Sequence, residues 1–204
     1  MHCSAWALAA AVPGLARAAA APTLLVVGDS LSAEYGLQRG QGWVALLEAR
    51  LGSQEKAYRV VNASISGDTT SGGRTRLPAL LSRHKPALVI IELGGNDALR
   101  GLPLASTLDN LTAMVKAAKA AGAKVLLLGM QVPPNYGTRY GQDFAALFSR
   151  VAASQKTALL PFLLKGVADR PDAQDWFQPD RIHPQARAHP LMLNNVWPVL
   201  QPLL

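Results

Sequence analysis

The stretch Thr23-Leu24-Leu25-Val26-Val27-Gly28-Asp29-Ser30-Leu31 decides the fold of this chain. Its first five residues form a continuous apolar run, which is typical of a strand buried on both faces. Polar residues follow at once, and this pattern predicts a strand-to-helix turn at Ser30. Such a turn lifts the serine side chain above the sheet, so Ser30 is a candidate nucleophile.

Four further apolar runs alternate with segments of helical period, and they cover residues 60–62, 87–93, 124–130 and 157–162. This order predicts a parallel sheet with helices on both faces, that is, a three-layer α/β/α sandwich. Ligands of such sheets bind beyond the carboxyl ends of the strands. Ser30, Gly67 and Asn96 each follow a predicted strand at that edge, so we expect them to lie close together.

Apolar residues at helical spacing predict helices over residues 43–51, 108–118 and 144–151. We expect the first helix to end at Gly52 and the second to begin at an N-cap, Ser106. The last helix is expected to begin at Pro184, because proline suits a first helical turn.

Composition limits the domain count and the partners. The chain has 204 residues, of which 50% are hydrophobic, and this predicts one domain over residues 21–204. The net charge is +7, but the 20 Lys and Arg are scattered rather than arranged in stripes with aromatics, which argues against nucleic acid as a partner. We expect a monomer that makes at most peripheral contact with a membrane.

Residues 1–20 carry almost no charge and lead into the alanines 18–21, a pattern typical of a secretory signal peptide. It predicts export to the periplasm or the medium. The segment is too short for a transmembrane helix, and an ordered N-terminal helix is the alternative. Cys3 would leave with the leader, so the mature chain would contain no cysteine and no disulfide.

A serine hydroxyl needs a nearby base to become a nucleophile. Of the four histidines, His183 has a carboxylate, Asp180, three residues before it. Asp180 is placed to hold Nδ1 of His183, so that Nε2 faces the serine. Ser30, Asp180 and His183 are therefore the predicted catalytic residues.

Acyl transfer also needs donors for the negative charge that develops on the carbonyl oxygen. The amides of Ser30 and Gly67 and the side-chain amide of Asn96 are the candidates, and a residue without Cβ at position 67 lets substrate approach the backbone. Asp29 and Asp97 are expected to fix loops rather than to take part in the reaction.

Each of these blocks has a simpler interpretation. Ser30 and Asn96 are also suited to cap helices. Asp180 with His183 has the spacing of a metal pair, but the sequence offers no third ligand cluster, and we expect no metal. The joint occurrence of the blocks at strand ends favours a catalytic site.

Four of these blocks, in chain order, resemble those of the SGNH or GDSL hydrolases. They are Gly28-Asp29-Ser30-Leu31, the segment 61–69 around Gly67, the segment 92–97 around Asn96, and Asp180 to His183. The resemblance runs from about Leu24 to Leu200. It implies a flavodoxin-like, five-stranded parallel sheet, with Ser30 as nucleophile, Gly67 and Asn96 as oxyanion donors, and Asp180 and His183 completing the triad.

The resemblance further implies hydrolysis of fatty acyl esters and thioesters, including lysophospholipids and aryl esters, without a cofactor. Leu102, Pro134 and Tyr136 are expected to line an apolar groove for the acyl chain. Glu34 and Ala98 stand where glycine is usual among similar sequences, and both lie beside the site. Two alternatives are a carbohydrate O-deacetylase using the same triad and a non-catalytic lipid-binding module.

Overall fold

The computed structural model describes residues 21–54 and 58–204. Its strands are β1 (Thr23–Gly28), β2 (Arg59–Asn62), β3 (Leu88–Glu92), β4 (Lys124–Leu128) and β5 (Ala158–Leu160). They form one parallel sheet in the order β2-β1-β3-β4-β5, and each begins or ends within a few residues of its predicted run. The predicted leader, residues 1–20, lies outside the described residues.

Six α-helices are described. They are α1 (Trp43–Ser53), α2 (Thr70–His84), α3 (Gly95–Leu99), α4 (Leu104–Ala120), α5 (Thr138–Gln155) and α6 (His189–Leu200). Helices α1 and α6 pack together, while α4 packs against both α2 and α5. The helices thus form two groups that flank the sheet, and the predicted α/β/α sandwich is confirmed.

The central strands owe their apolar sequence to this burial. Residues Leu24 to Val27 of β1 and Leu88 to Ile91 of β3 have no exposed surface. A strand covered on both faces has no solvent side, so its residues are apolar in succession rather than in alternation. Truncating one of these leucines to alanine typically costs about 2 to 5 kcal/mol of stability.

The turn after β1 differs from the prediction. Residues 30–36 form a succession of turns, in which the Ala33 and Tyr35 amides donate to the carbonyls of Asp29 and Ser30, and α1 begins only at Trp43. Glu34 and Gly36 have φ angles of 59° and 70°. This left-handed backbone cannot continue a right-handed helix, so the strand leads into a turn and not into a helix.

Three predicted helix ends were wrong. Helix α1 continues through Gly52 to Ser53, and α4 begins at Leu104 after Pro103 rather than at an N-cap Ser106. The last helix begins at His189, because Pro184 instead forms an antiparallel bridge with Phe177. Within the described ranges, no helix has the length and hydropathy needed to span a bilayer.

Candidate active site

Ser30, His183 and Asp180 form one hydrogen-bonded chain. Ser30 directly follows β1, and its Oγ lies 2.7 Å from Nε2 of His183, a residue 153 positions away in sequence. On the other side of the imidazole, Nδ1 lies 2.6 Å from Oδ2 of Asp180. The structure therefore brings the three predicted side chains together in the order that proton transfer from a serine requires.

The loop that carries His183 is held by its own hydrogen bonds. Oδ1 of Asp180 accepts from the amides of Ile182 and His183 at 2.9 and 3.0 Å. Partial burial alone raises the pKa of Asp180, but these amides and the imidazole outweigh it and leave that pKa below its usual value. The carboxylate is thus kept ionised beside the imidazole.

Tyr35 is a contact of the site that the sequence did not predict. Its ring lies 4.3 Å from the His183 ring, centroid to centroid, at an angle of 37°. Its carbonyl accepts from the side-chain amide of Gln178, whose backbone amide donates to the His183 carbonyl at 2.7 Å. The turn after β1 and the histidine loop are therefore joined by a ring contact and by hydrogen bonds through Gln178. No spacing rule links position 35 to position 183.

The predicted oxyanion donors sit on three neighbouring strand ends. In the described part of the chain, the amides of Ser30 and Gly67 donate to no protein acceptor. Gly67 has a φ of 79°, a conformation that favours glycine, and its carbonyl accepts from Arg100. The Asn96 amide group donates one hydrogen bond to Asp29 at 3.1 Å, which leaves its second N–H free.

Asp29 and Asp97 fix loops, as expected. Asp97 is buried and accepts from both the amide and the hydroxyl of Thr70, at the start of α2. Asp29 accepts from the Leu31 amide at 3.1 Å as well as from Asn96. Burial raises the pKa of Asp29 to about 6, against the lowering effect of these bonds.

The Glu34 side chain forms hydrogen bonds within its own loop. Its carboxylate accepts from the amides of Gly40 and Gly42, at 3.0 and 2.7 Å. The φ angle of Glu34 lies in the left-handed region, which glycine adopts more readily than glutamate. The carboxylate compensates for that conformation by closing the loop between residues 34 and 42.

The predicted acyl wall is described only in part. Leu102 is 37% exposed, and Tyr136 lies in a 3-10 turn and stacks on Tyr140 with centroids 6.4 Å apart. An open hollow of about 460 Å³ lies along residues 136–140 and Asp143. The Pro134 side chain is outside the described part. The groove itself stays a prediction.

The chain is similar to known esterases and thioesterases. The sequence model of the GDSL-like Lipase/Acylhydrolase family matches residues 26–191. Esterase TesA of Pseudomonas aeruginosa is 59% identical over 190 residues, which are 93% of each chain. Thioesterase 1/protease 1/lysophospholipase L1 of Escherichia coli K12 is 45% identical over 188 residues, 92% of this chain and 88% of that protein.

A solved structure is similar over the same region. The crystal structure of TesA superposes with a TM-score of 0.86 at 59% identity, covering 89% of this chain and 99% of the other. The parallel sheet and its flanking helices are therefore an arrangement seen experimentally in a similar sequence.

Proposed function

Since the chain belongs to the GDSL-like lipase/acylhydrolase family and is a carboxylic-ester hydrolase, we propose that it cleaves fatty acyl esters and thioesters through an acyl-enzyme on Ser30. The observation that supports this most is the continuous hydrogen-bonded chain from Ser30 through His183 to Asp180. Such a chain gives a serine of ordinary acidity a base at the moment of attack.

In the first half of the reaction, Oγ of Ser30 bonds to the acyl carbon while its proton moves to Nε2 of His183. The carbonyl oxygen becomes an oxyanion and accepts from the amides of Ser30 and Gly67 and from Asn96. The bond to the leaving oxygen or sulfur then breaks, and His183 returns the proton to that atom. In the second half, His183 takes a proton from water while the water oxygen bonds to the acyl carbon. The bond from that carbon to Oγ then breaks, His183 returns the proton to Oγ, and the acid leaves.

Asn96→Ala is expected to lower kcat by on the order of 10²–10³, because one of the proposed oxyanion donors is lost where charge develops. KM should change much less, since the ground-state carbonyl is a weaker acceptor. The measurement is steady-state hydrolysis of p-nitrophenyl butyrate. A raised KM with unchanged kcat would instead make Asn96 a ground-state contact. It is not a helix cap, because it lies inside α3 and its side chain donates to Asp29.

The proposal extends to the length of the acyl chain. We infer that medium and long chains are preferred over acetyl, with Leu102, Pro134 and Tyr136 lining the acyl groove. Each buried methylene contributes up to about 0.8 kcal/mol, so four further carbons in partial contact would raise kcat/KM by about tenfold or more. Lysophospholipids and aryl esters are the proposed substrates within this range.

The test is kcat/KM across p-nitrophenyl acetate, butyrate, octanoate and palmitate, for the wild type and for Glu34→Gly. Because the Glu34 carboxylate is bound to backbone amides of its own loop, we expect both proteins to prefer the longer chains. If acetate were the best substrate of both proteins, the proposed acyl groove would be contradicted. The names of the relatives do not favour a carbohydrate deacetylase or a non-catalytic module.

The cellular setting is a further part of the proposal. Residues 1–20 would direct export to the periplasm or the medium, and residues 21–204 would form the mature, monomeric enzyme. Removing Arg17 would lower the formal charge from +7 to about +6. N-terminal sequencing of the exported form tests the cleavage site.

A further inference from the structure

Two carboxyl groups lie buried directly beneath the nucleophile turn. Asp29 and Glu92 are 2% and 0% exposed. Glu92 ends β3 in register with Gly28 of β1, and a Cβ on Gly28 would lie 2.8 Å from Oε2 of Glu92. Because Gly28 has no side chain, the Glu92 carboxyl group can occupy this space.

The two oxygens of Glu92 have different surroundings. Oε2 accepts from the Asp29 amide at 3.2 Å and from the Ser32 hydroxyl at 2.8 Å. Oε1 is buried and has no hydrogen-bond donor among the described residues. The hydrogen bond from the Asp29 amide to Oε2 nevertheless places the Glu92 carboxyl group next to Asp29, and both side chains are shut off from solvent. A carboxylate there would leave one oxygen unsatisfied, whereas a carboxylic acid has a hydroxyl to donate.

Electrostatics favours one proton on this pair. Two carboxylates buried on adjacent strand ends repel each other, which favours a proton on one of them. Burial, together with the charge of Asp29, holds the pKa of Glu92 well above its usual value. Asp29 has the Leu31 amide, the Asn96 amide and the nearby His183 to favour its ionised form. The proton therefore belongs on Glu92 and the charge on Asp29.

Asp29 connects the buried pair to the residues of the active site. Its Oδ1 accepts from the Leu31 amide, and its Oδ2 accepts from the side-chain amide of Asn96. Accepting one N–H of Asn96 fixes which way that amide faces and so directs the second N–H. The backbone of Asp29 also leads into Ser30.

We propose that Glu92 is a neutral carboxylic acid that donates to Asp29, and that this pair positions the Asn96 amide as an oxyanion donor. Asp29 and Glu92 are positioning residues here, because they act through Asn96 and the Ser30 turn. The proposal rests on the proposed function, since it takes Asn96 as a donor to the reacting carbonyl.

The first experiment is a double-mutant cycle of Asp29→Asn with Asn96→Ala. Asparagine at position 29 has the shape of aspartate and still accepts from the Leu31 amide. Its NH₂ group, however, faces the NH₂ group of Asn96, so that hydrogen bond is lost. We expect kcat to fall at least tenfold with KM within about threefold, and the double variant to match Asn96→Ala within about threefold.

Losses that multiply in the double variant would show that Asp29 does not act through Asn96 and would overturn the proposal. An unchanged kcat in Asp29→Asn would do the same. If Asn96→Ala alone has no effect on kcat, the oxyanion assignment of the proposed function fails instead. The Ser30 nucleophile is tested separately, so the failures are distinguishable.

The second experiment compares Glu92→Gln with Glu92→Met, a change of similar volume. Glutamine has one acceptor for the Asp29 and Ser32 donors and an NH₂ group that donates to Asp29, as the neutral acid does. We expect Glu92→Gln to keep at least a tenfold higher kcat than Glu92→Met, at similar KM. Equal losses would show that Glu92 acts as a carboxylate, and wild-type kcat in both would remove its positioning role. Where Glu92→Met does not fold, Glu92→Gln against the wild type decides the matter: kcat within about threefold supports a neutral Glu92, and a loss of tenfold or more overturns it.

Discussion

Replacing Ser30 by alanine is expected to lower kcat by roughly a million-fold while leaving the fold intact. The change removes the Oγ that lies 2.7 Å from Nε2 of His183, so no acyl-enzyme can form. Ser30 is half-buried on a turn and is not one of the residues of the apolar core. Hydrolysis of p-nitrophenyl butyrate measures the loss, and thermal unfolding checks the fold.

His183→Ala should cost about as much as Ser30→Ala, and combining the two should add little, because nucleophile and base act as a unit. Ser71→Ala is the matched control: this serine is exposed on α2, and its side chain takes no part in the site. A Ser30→Ala protein that keeps a tenth of the wild-type activity would show that Ser30 is not the nucleophile.

The sheet and the meeting of Ser30 with His183 were predictable because each depends on a strong local signal. An uninterrupted apolar run such as Leu24 to Val27 is typical of a strand covered on both faces. Parallel strands then place their carboxyl ends at one edge, which gathers the residues that follow them. The spacing of Asp180 and His183 lies within a single turn, so their contact needs no knowledge of the tertiary structure.

Features that depend on tertiary contacts were not predictable in the same way. Helix α2 contains two glycines and Pro78, residues that disfavour a helix, so its sequence does not predict one. The turn after β1 follows from left-handed residues, one of which is a glutamate that no turn rule favours. Tyr35 contacts His183, a residue 148 positions away, and Asp29 bonds to Glu92, 63 positions away. Separations of this size do not predict a contact.

Asp180→Asn is expected to lower kcat by about 10⁴, with the loop geometry retained. The asparagine Oδ1 continues to accept from the amides of Ile182 and His183, so its NH₂ group replaces the oxygen that lies 2.6 Å from Nδ1. A donor at that place makes Nδ1 the acceptor and puts the imidazole proton on Nε2. Nε2 then faces Ser30 with a hydrogen and cannot take the proton of the hydroxyl.

The variant separates this tautomer effect from a purely structural one. Asp175→Asn removes the same charge from an exposed position a few residues away and should leave kcat unchanged, because it alters no hydrogen bond of the histidine. Nitrogen-15 spectra of the His183 ring should show the proton on Nδ1 in the wild type at neutral imidazole and on Nε2 in Asp180→Asn. A variant with the wild-type tautomer, or with kcat within tenfold of the wild type, would mean that Asp180 holds only the loop and that the backbone amides alone orient the base.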